Sequence, residues 1–418
     1  MTQLSDDCFA FGGTLLSAAD ALEILSTRID AQTPVERVAL DRALGRALAR
    51  DVTANSASPP HDNAAVDGYA LAAADLDPAA PTSLRVAGRA TAGHPLQDAV
   101  APGTAARIFT GAVMPEGADC VVMQEDVRVE ADRIIVPPGL GEGANRRRAG
   151  EDFAAGEVIL RQGDRLRAQD LALAAAAGHA DLAVHGPVRV ALFSTGDEIR
   201  EPGEALAPGT IYDANRHLLA GLLAGLGCRV SDLGILPDRE PAVRDALARA
   251  ARDHDLLLTS GGVSTGEEDH VRTAVEALGS LHFWRLSIKP GRPLALGQVG
   301  GAAFMGLPGN PVAVMVCFVR FTRPIVLKLG GVRALEPRLY RVAAAFGHAK
   351  REGRREWLRA RLAPDADGNL VAEKFGRQGS GIISSLVWSE GLVELPEELT
   401  LLEPGQMVEF LPFHEVMA

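Results

Sequence analysis

Between residues 187 and 333 the chain alternates short apolar runs with longer amphipathic ones. "VRVALFST" is followed by "ANRHLLAGLLAGLG", "RVSDLGIL" by "EPAVRDALARAARD", and "DLLLTS" by "DHVRTAVEALG". Three further runs, "HFWRLSI", "PLALGQ" and "AAFMGL", then lead into "NPVAVMVCFVRFTRPIVLKLG". The first kind of run reads as strand and the second as helix. This order confines the region to a parallel sheet with helices on both faces, the doubly wound α/β class. Such sheets take ligands at the carboxyl ends of their strands. The polar motifs of the region fall at those ends.

The remaining sequence has a different texture. At 418 residues the chain exceeds one ordinary core. Residues 14–31 carry Leu15, Leu22 and Leu25 at helical spacing, and 35–54 give the strand-like "VERVAL" and a short helix, "DRALGRALAR". From 58 to 154, short β-rich runs alternate with Gly and Pro turns, as in an inserted β module. Residues 155–186 supply a strand and an alanine-rich helix that return to the module begun by residues 1–57. From 334 to 418, short strands such as "RLYRVAAAF" and "EWLRARLA" point to a second all-β module. The expected divisions are 1–57 with 155–186, 58–154, 187–333 and 334–418.

A net charge of −12 argues against a general nucleic-acid binder, whose affinity rests on neutralising phosphates. A local basic pocket for a small anion remains compatible with it. Cys8, Cys120, Cys228 and Cys317 form no CxxC pair, so neither a disulfide framework nor a zinc site is expected. Cys228 and Cys317 lie among apolar residues and read as core. The opening "MTQLSDDCFAFGG" has no apolar stretch of the secretory type, and "VAVMVCFV" is too short to span a bilayer. A reduced, cytoplasmic chain without a membrane segment is expected.

Four strand-to-helix loops carry candidate chemistry. In "SGGVSTG", Gly261, Gly262 and Ser264 let the backbone approach a phosphate at a helix start. Glu267, Glu268 and Asp269 follow at once. They either complement the helix dipole or support a divalent cation between phosphate and carboxylate. In "FWRLSIKPGRPLALG", Arg285, Lys289 and Arg292 stand near one turn, able to hold an anion or to form a solvated basic turn. In "GLPGNPVA", Pro308, Gly309 and Asn310 open a helix, with Asn310 as its expected cap. "FSTGDEI" offers Ser194, Thr195, Asp197 and Glu198 for a metal or a ribose, and Asp238 in "LPDRE" is a turn residue, a cap or a ligand. The inserted module adds "DNAAVDGYA", "FTGAVMPEG" and "NRRRAGEDF", the last reading as an oxyanion site or a salt-bridged surface. There is no Ser-His-Asp arrangement, HExxH or P-loop pattern.

Read in order, "DNAAVDGYA", "TGAVMPEGADCVVMQED", "NRRRAGED", "FSTGDE", "SGGVSTGEEDH", "IKPGRP", "GLPGNP" and "QGSGIISSL" resemble the molybdopterin molybdenumtransferase family, which is similar to the E domain of gephyrin. The resemblance spans nearly the whole chain. It implies a homodimer of elongated four-domain subunits with a molybdopterin-binding α/β domain. It implies adenylylated molybdopterin and molybdate as substrates, with magnesium supporting release of AMP. It carries acids and hydroxyls onto Asp67, Thr110, Asp152, Glu198, Asp238 and Asp269, with Glu198, Asp238 and Asp269 as metal candidates. Basic positions fall on Arg147, Arg285 and Lys289, and a late serine on Ser384 or Ser385. Asp67, Thr110 and Asp152 would complete a cleft across the dimer interface. The chain departs from the family at His61, where an apolar residue is usual, and at Arg285, where some members carry lysine. Transient contact with other cofactor-biosynthesis proteins is also implied. Two other readings share parts of this set: a molybdopterin-binding scaffold, which would not need the acids, and the related adenylyltransferase, which would not need the β modules.

Overall fold

The computed structural model describes residues 15–261 and 270–417. The strands of the central region form one six-stranded sheet: β1 (Arg189–Thr195), β2 (Arg229–Leu236), β3 (Leu256–Ser260), β4 (Gly279–Arg285), β5 (Pro293–Val299) and β6 (Ala302–Leu307). Their spatial order is β2-β1-β3-β6-β5-β4. β2, β1, β3 and β6 are parallel, as expected, but β5 runs antiparallel to both β6 and β4. The reason is local. No helix separates β4, β5 and β6, and without a crossover the chain can only double back.

Side-chain alternation sorts the strands onto two cores. Val190 and Leu192 of β1, with Leu256 and Leu258 of β3, face one apolar cluster. Ala191, Phe193 and Leu257 face the other, under the helices Glu240–Asp253 and His270–Leu278. The first cluster brings the two ends of the chain onto the sheet. It takes Ala18, Ala21 and Leu25 from the helix Ala18–Arg28, and Trp357, Leu392, Leu411 and Val416 from the C-terminal module. The first helix therefore packs on the α/β sheet, with Leu16 hydrogen-bonded to Arg285 and Ser287. The chain meets residues 155–186 only beyond this helix, where Val35–Ala39 pairs antiparallel with Asp181–His185. The expected second helix is a single 3₁₀ turn, Leu40–Arg42. Gly45 comes next at φ 75°, a left-handed conformation that stops a helix. The last helical run is interrupted by a π turn at Phe318–Thr322, just before Pro324, which lacks the N–H a continuous helix would use.

Residues 63–136 hold a separate six-stranded sheet with two small cores of its own. In the C-terminal region five strands close into a barrel: Arg355–Pro364, Leu370–Lys374, Tyr340–Ala344, Met407–Pro412, Gly391–Leu395 and back to the first. No helix among the described residues is long and apolar enough to cross a membrane.

Candidate active site

β1, β3 and β6 end side by side at Thr195, Ser260 and Leu307. From β1 the chain crosses to β2 on one side, then to β3 on the other, so the strand order reverses between β1 and β3. That reversal opens a crevice where α/β sheets bind ligands. A cleft of about 260 Å³ occupies it, lined by Ser194, Thr195, Glu198, Asn215, Ser260, Gly261 and Gly309 among others. A larger cleft of about 650 Å³ adjoins it, sharing Gly261 and Gly309. One wall carries Lys289, Gly291, Arg292, Pro308 and Asn310, and the opposite wall Glu356, Trp357, Arg359, Gln378 and Ser380 of the C-terminal module.

The lysine loop bridges both walls. Ile288 and Lys289 run parallel to Arg355 and Glu356 as a two-residue ladder. Lys289 Nζ lies 3.3 Å from Glu356 Oε2. Glu356 is fully buried and also meets His348 Nε2 at 3.2 Å and the Arg354 guanidinium at 2.6 Å. Burial alone would raise the Glu356 carboxyl, but the hydrogen bonds from His348 and Arg354 and the Lys289 charge hold it below its ordinary value. Gly291 adopts φ 99°, and a Cβ there would stand 2.3 Å from Cys317 Sγ. Only glycine lets the loop lie this close to the helix Pro311–Cys317.

Arg359 is the unusual residue of the opposite wall. It is 1% exposed. Its guanidinium donates to Ser385 Oγ at 2.9 Å, Arg377 O at 3.0 Å and Gly379 O at 3.1 Å. All three are neutral acceptors, and burial lowers its pKa. A buried cation facing a cleft with no carboxylate partner among the described contacts is costly unless an anion completes it. Sequence reading missed it because "EWLRARLA" reads as an ordinary half-exposed strand.

The expected residues are distributed unevenly. Gly261, Lys289, Arg292, Pro308, Gly309 and Asn310 line the clefts. Asn310 stands at the helix N-cap, but its side chain makes no cap bond, leaving it available to the cleft. Gly262, Ser264 and Asp269, with Glu267 and Glu268, lie outside the described residues. Arg285 is exposed and lines neither cleft, so the expected trio of cations reduces there to Lys289, Arg292 and the unforeseen Arg359. Ser385 is buried behind Arg359, and Ser384 is exposed outside both clefts. Glu198 sits in the smaller cleft with its carboxylate turned back over Gly196. Asp238 comes after β2 at the same edge of the sheet and lines neither cleft.

The inserted module assembles a cluster of its own. Antiparallel pairing of Gly68 with Ile108 brings the strand ends together. Asp67 Oδ1 accepts from both Thr110 N and Thr110 Oγ1 at 2.8 Å. The backbone bond is the main reason Asp67 is held below the usual carboxylate range. Arg146 and Arg147 pair with Ala64 and Asn63, Arg146 lies 3.6 Å from Asp62, and Asp152 is exposed after the same loop. Among the described residues, none from 58–154 lines either cleft.

Three family models match successive stretches of the chain. Residues 16–178 match the MoeA N-terminal region (domain I and II), 191–328 a probable molybdopterin binding domain, and 341–413 the MoeA C-terminal region (domain IV). The molybdopterin molybdenumtransferase of Haemophilus influenzae is 38% identical over 92% of this chain and 95% of its own length. That of a Nostoc species is 35% identical over 92% and 90%. The crystal structure of a molybdopterin biosynthesis moeA protein from Pyrococcus horikoshii OT3 superposes with a TM-score of 0.83 at 31% identity, over 96% of this chain and all of that one. Fold, extent and sequence agree, and the chain belongs to the molybdopterin molybdenumtransferase family of enzymes.

Proposed function

We propose that this enzyme transfers molybdenum from molybdate into adenylylated molybdopterin, with magnesium-dependent release of AMP. The observation that carries the reading is Arg359, a buried guanidinium without a carboxylate partner among the described residues, facing Lys289 and Arg292 across one cleft. Three cations converging on one cavity suit tetrahedral oxyanions, of which molybdate and phosphate are both examples. The glycines and Asn310 of the adjoining rim suit the phosphorylated part of the pterin substrate.

Magnesium uses one or two carboxylates together with substrate phosphates and water. Glu198 and Asp238 stand at the carboxyl ends of neighbouring strands and offer that donor chemistry. Among the described residues no group of three acids, histidines or cysteines gathers tightly enough to hold a cation alone, which agrees with a metal that arrives with the phosphates. When bound, it would neutralise phosphate charge and ease departure of AMP. Lys289, Arg292 and Arg359 would orient the oxyanion, and Trp357 would exclude water from one side. The chain would work as a cytoplasmic homodimer, four modules per subunit, with Asp67, Thr110, Asp152 and Arg147 of one subunit closing the cleft of the other.

The test is incubation of the purified protein with adenylylated molybdopterin, molybdate and magnesium, monitoring AMP and pterin-bound molybdenum. Both should appear together and stop when magnesium is chelated. AMP transfer onto molybdopterin from MgATP, without molybdenum insertion, would overturn the reading in favour of an adenylyltransferase.

A further inference from the structure

Charge complementarity alone does not account for Glu356. It lines the larger cleft beside Lys289, Arg292 and Arg359, where a carboxylate opposes the anion that the other three attract. Its surroundings give it another use. The side chain is fully buried, and both of its oxygens are committed. Arg354 Nε donates to Oε1 at 2.8 Å. His348 Nε2 and Lys289 Nζ meet Oε2 at 3.2 and 3.3 Å. On the far side of the imidazole, His348 Nδ1 stands 3.5 Å from Lys374 Nζ. An ammonium only donates, so Nδ1 accepts and the ring proton sits on Nε2, facing Glu356. Burial holds His348 below its ordinary value and the Lys374 charge acts in the same direction, against the pull of Glu356. The neutral ring therefore keeps donating to the carboxylate at neutral pH.

The partners of Glu356 differ in freedom. Arg354, His348 and Lys374 belong to the C-terminal module, as Glu356 itself does. Lys289 reaches across from the α/β domain on a flexible four-carbon stem, with 42% of its side chain exposed. The backbone joins the two sides. Ile288 and Lys289 lie in register with Arg355 and Glu356, and Arg355 N donates to Ser287 O at 2.9 Å. The carboxylate is thus the fixed member of the pair, and the ammonium is the member that is placed.

We propose that Glu356 is a positioning residue for molybdenum transfer: anchored by Arg354 and His348, it sets where the Lys289 ammonium stands in the oxyanion cleft. The inference rests on the oxyanion reading of that cleft and adds to it a group supplied by the barrel. It implies a split between binding and turnover. In Glu356→Gln the cleft loses a negative charge, so molybdate should bind no more weakly than to the wild type. Lys289 is then no longer held, and misplacing such a group costs about ten- to a hundredfold in turnover. A residue serving only the fold would change stability without dividing the two.

The test is a double-mutant cycle on the full-length protein. Molybdate affinity is measured by calorimetry, stability by urea denaturation, and kcat by molybdenum transfer from molybdate to adenylylated molybdopterin. The variants are Glu356→Gln, Lys289→Met and the two combined. Lys289→Met should weaken molybdate binding and lower kcat. If Glu356 acts through Lys289, the combined variant should turn over no more slowly than Lys289→Met alone. Glu356→Asp keeps the charge but draws the carboxylate back by one methylene. Its kcat should fall as well, and it takes the place of Glu356→Gln in the cycle if the glutamine variant does not fold. Losses that multiply in the combined variant, or wild-type kcat in a folded Glu356→Gln protein, would overturn the assignment and leave the oxyanion reading standing. Unchanged affinity and kcat in Lys289→Met would instead remove the oxyanion reading, and this inference with it.

Discussion

Replacing Arg359 with methionine separates a structural arginine from one kept for a ligand. The guanidinium makes three hydrogen bonds to neutral acceptors. At about 1 kcal/mol each, their loss would cost roughly 3 kcal/mol. Against that, the substitution removes a charge held at 1% exposure without a carboxylate partner among the described residues, and such a burial costs several kcal/mol even after relaxation. Ser385 Oγ keeps its donation to Ile382 O, so one of the three acceptors stays partly satisfied. The terms nearly cancel, and methionine fills much of the same volume. Stability of the ligand-free protein should therefore change by less than about 1.5 kcal/mol in either direction. Anion binding should suffer more: a lost charge-assisted hydrogen bond is worth about 1.5–3 kcal/mol, roughly 10- to 150-fold in Kd. Urea denaturation with and without molybdate, alongside calorimetric titration of molybdate, reads both quantities. In the wild type, molybdate should raise the denaturation midpoint, and in Arg359→Met it should not. A variant destabilised by more than about 3 kcal/mol that still binds molybdate with wild-type affinity would refute the argument, since the arginine would then serve the fold alone.

Lys289→Ala should weaken pterin-phosphate or molybdate binding by about 1–3 kcal/mol at moderate salt, measured by titration. Gly291→Ala should destabilise the protein by about 2–4 kcal/mol in denaturant melts, because the residue combines φ 99° with a Cβ position 2.3 Å from Cys317 Sγ. Burial pushes the Cys228 thiol up to about 12 and that of Cys120 likewise to about 12, so thiol reagents at pH 8 should label neither until the protein unfolds. Asp67 has a folded pKa below its unfolded value, so its contribution is present above the ordinary carboxylate range and is lost as pH falls through the folded value. Thr110→Val should narrow that window from the acid side, with the Asp67 carboxyl titrating at higher pH by carbon NMR.

The carboxyl-edge loops were legible because their residues have few other uses. Glycine beside proline and asparagine after an apolar run implies a backbone approached closely, and Lys289, Gly309 and Asn310 do line the cleft. The barrel wall was not legible. Alternation along Arg355–Pro364 puts Leu358 and Ala360 in the barrel core and turns Trp357 and Arg359 outward. Outward on a strand normally means solvent, but here the core of the α/β domain covers Trp357 and the segment 377–385 covers Arg359, and nothing in a period of two announces either cover. Asn215 was equally silent, since an asparagine in a first helical turn is ordinary until Gly309 is found beside it. The reversal of β5 was hidden for a related reason: the spacing of strands gives their existence, whereas direction depends on what lies between them.

The long apolar cluster that runs from Leu16 to Val416 bears on how the chain is made. A ribosome releases residues in order, and domains close as soon as their contacts are available. The sheet of residues 68–136 builds its two cores from residues 64–144 and can close early. The helix Ala18–Arg28 cannot, because its partners around Leu286, Phe318 and Ile325 emerge hundreds of residues later. Until then its apolar face is exposed to solvent. It is a candidate handle for a chaperone that guards nascent chains, although it is sealed in the finished protein. Stalled chains arrested before residue 284 should leave this helix open to protease while the inserted sheet is already resistant, and release should protect both.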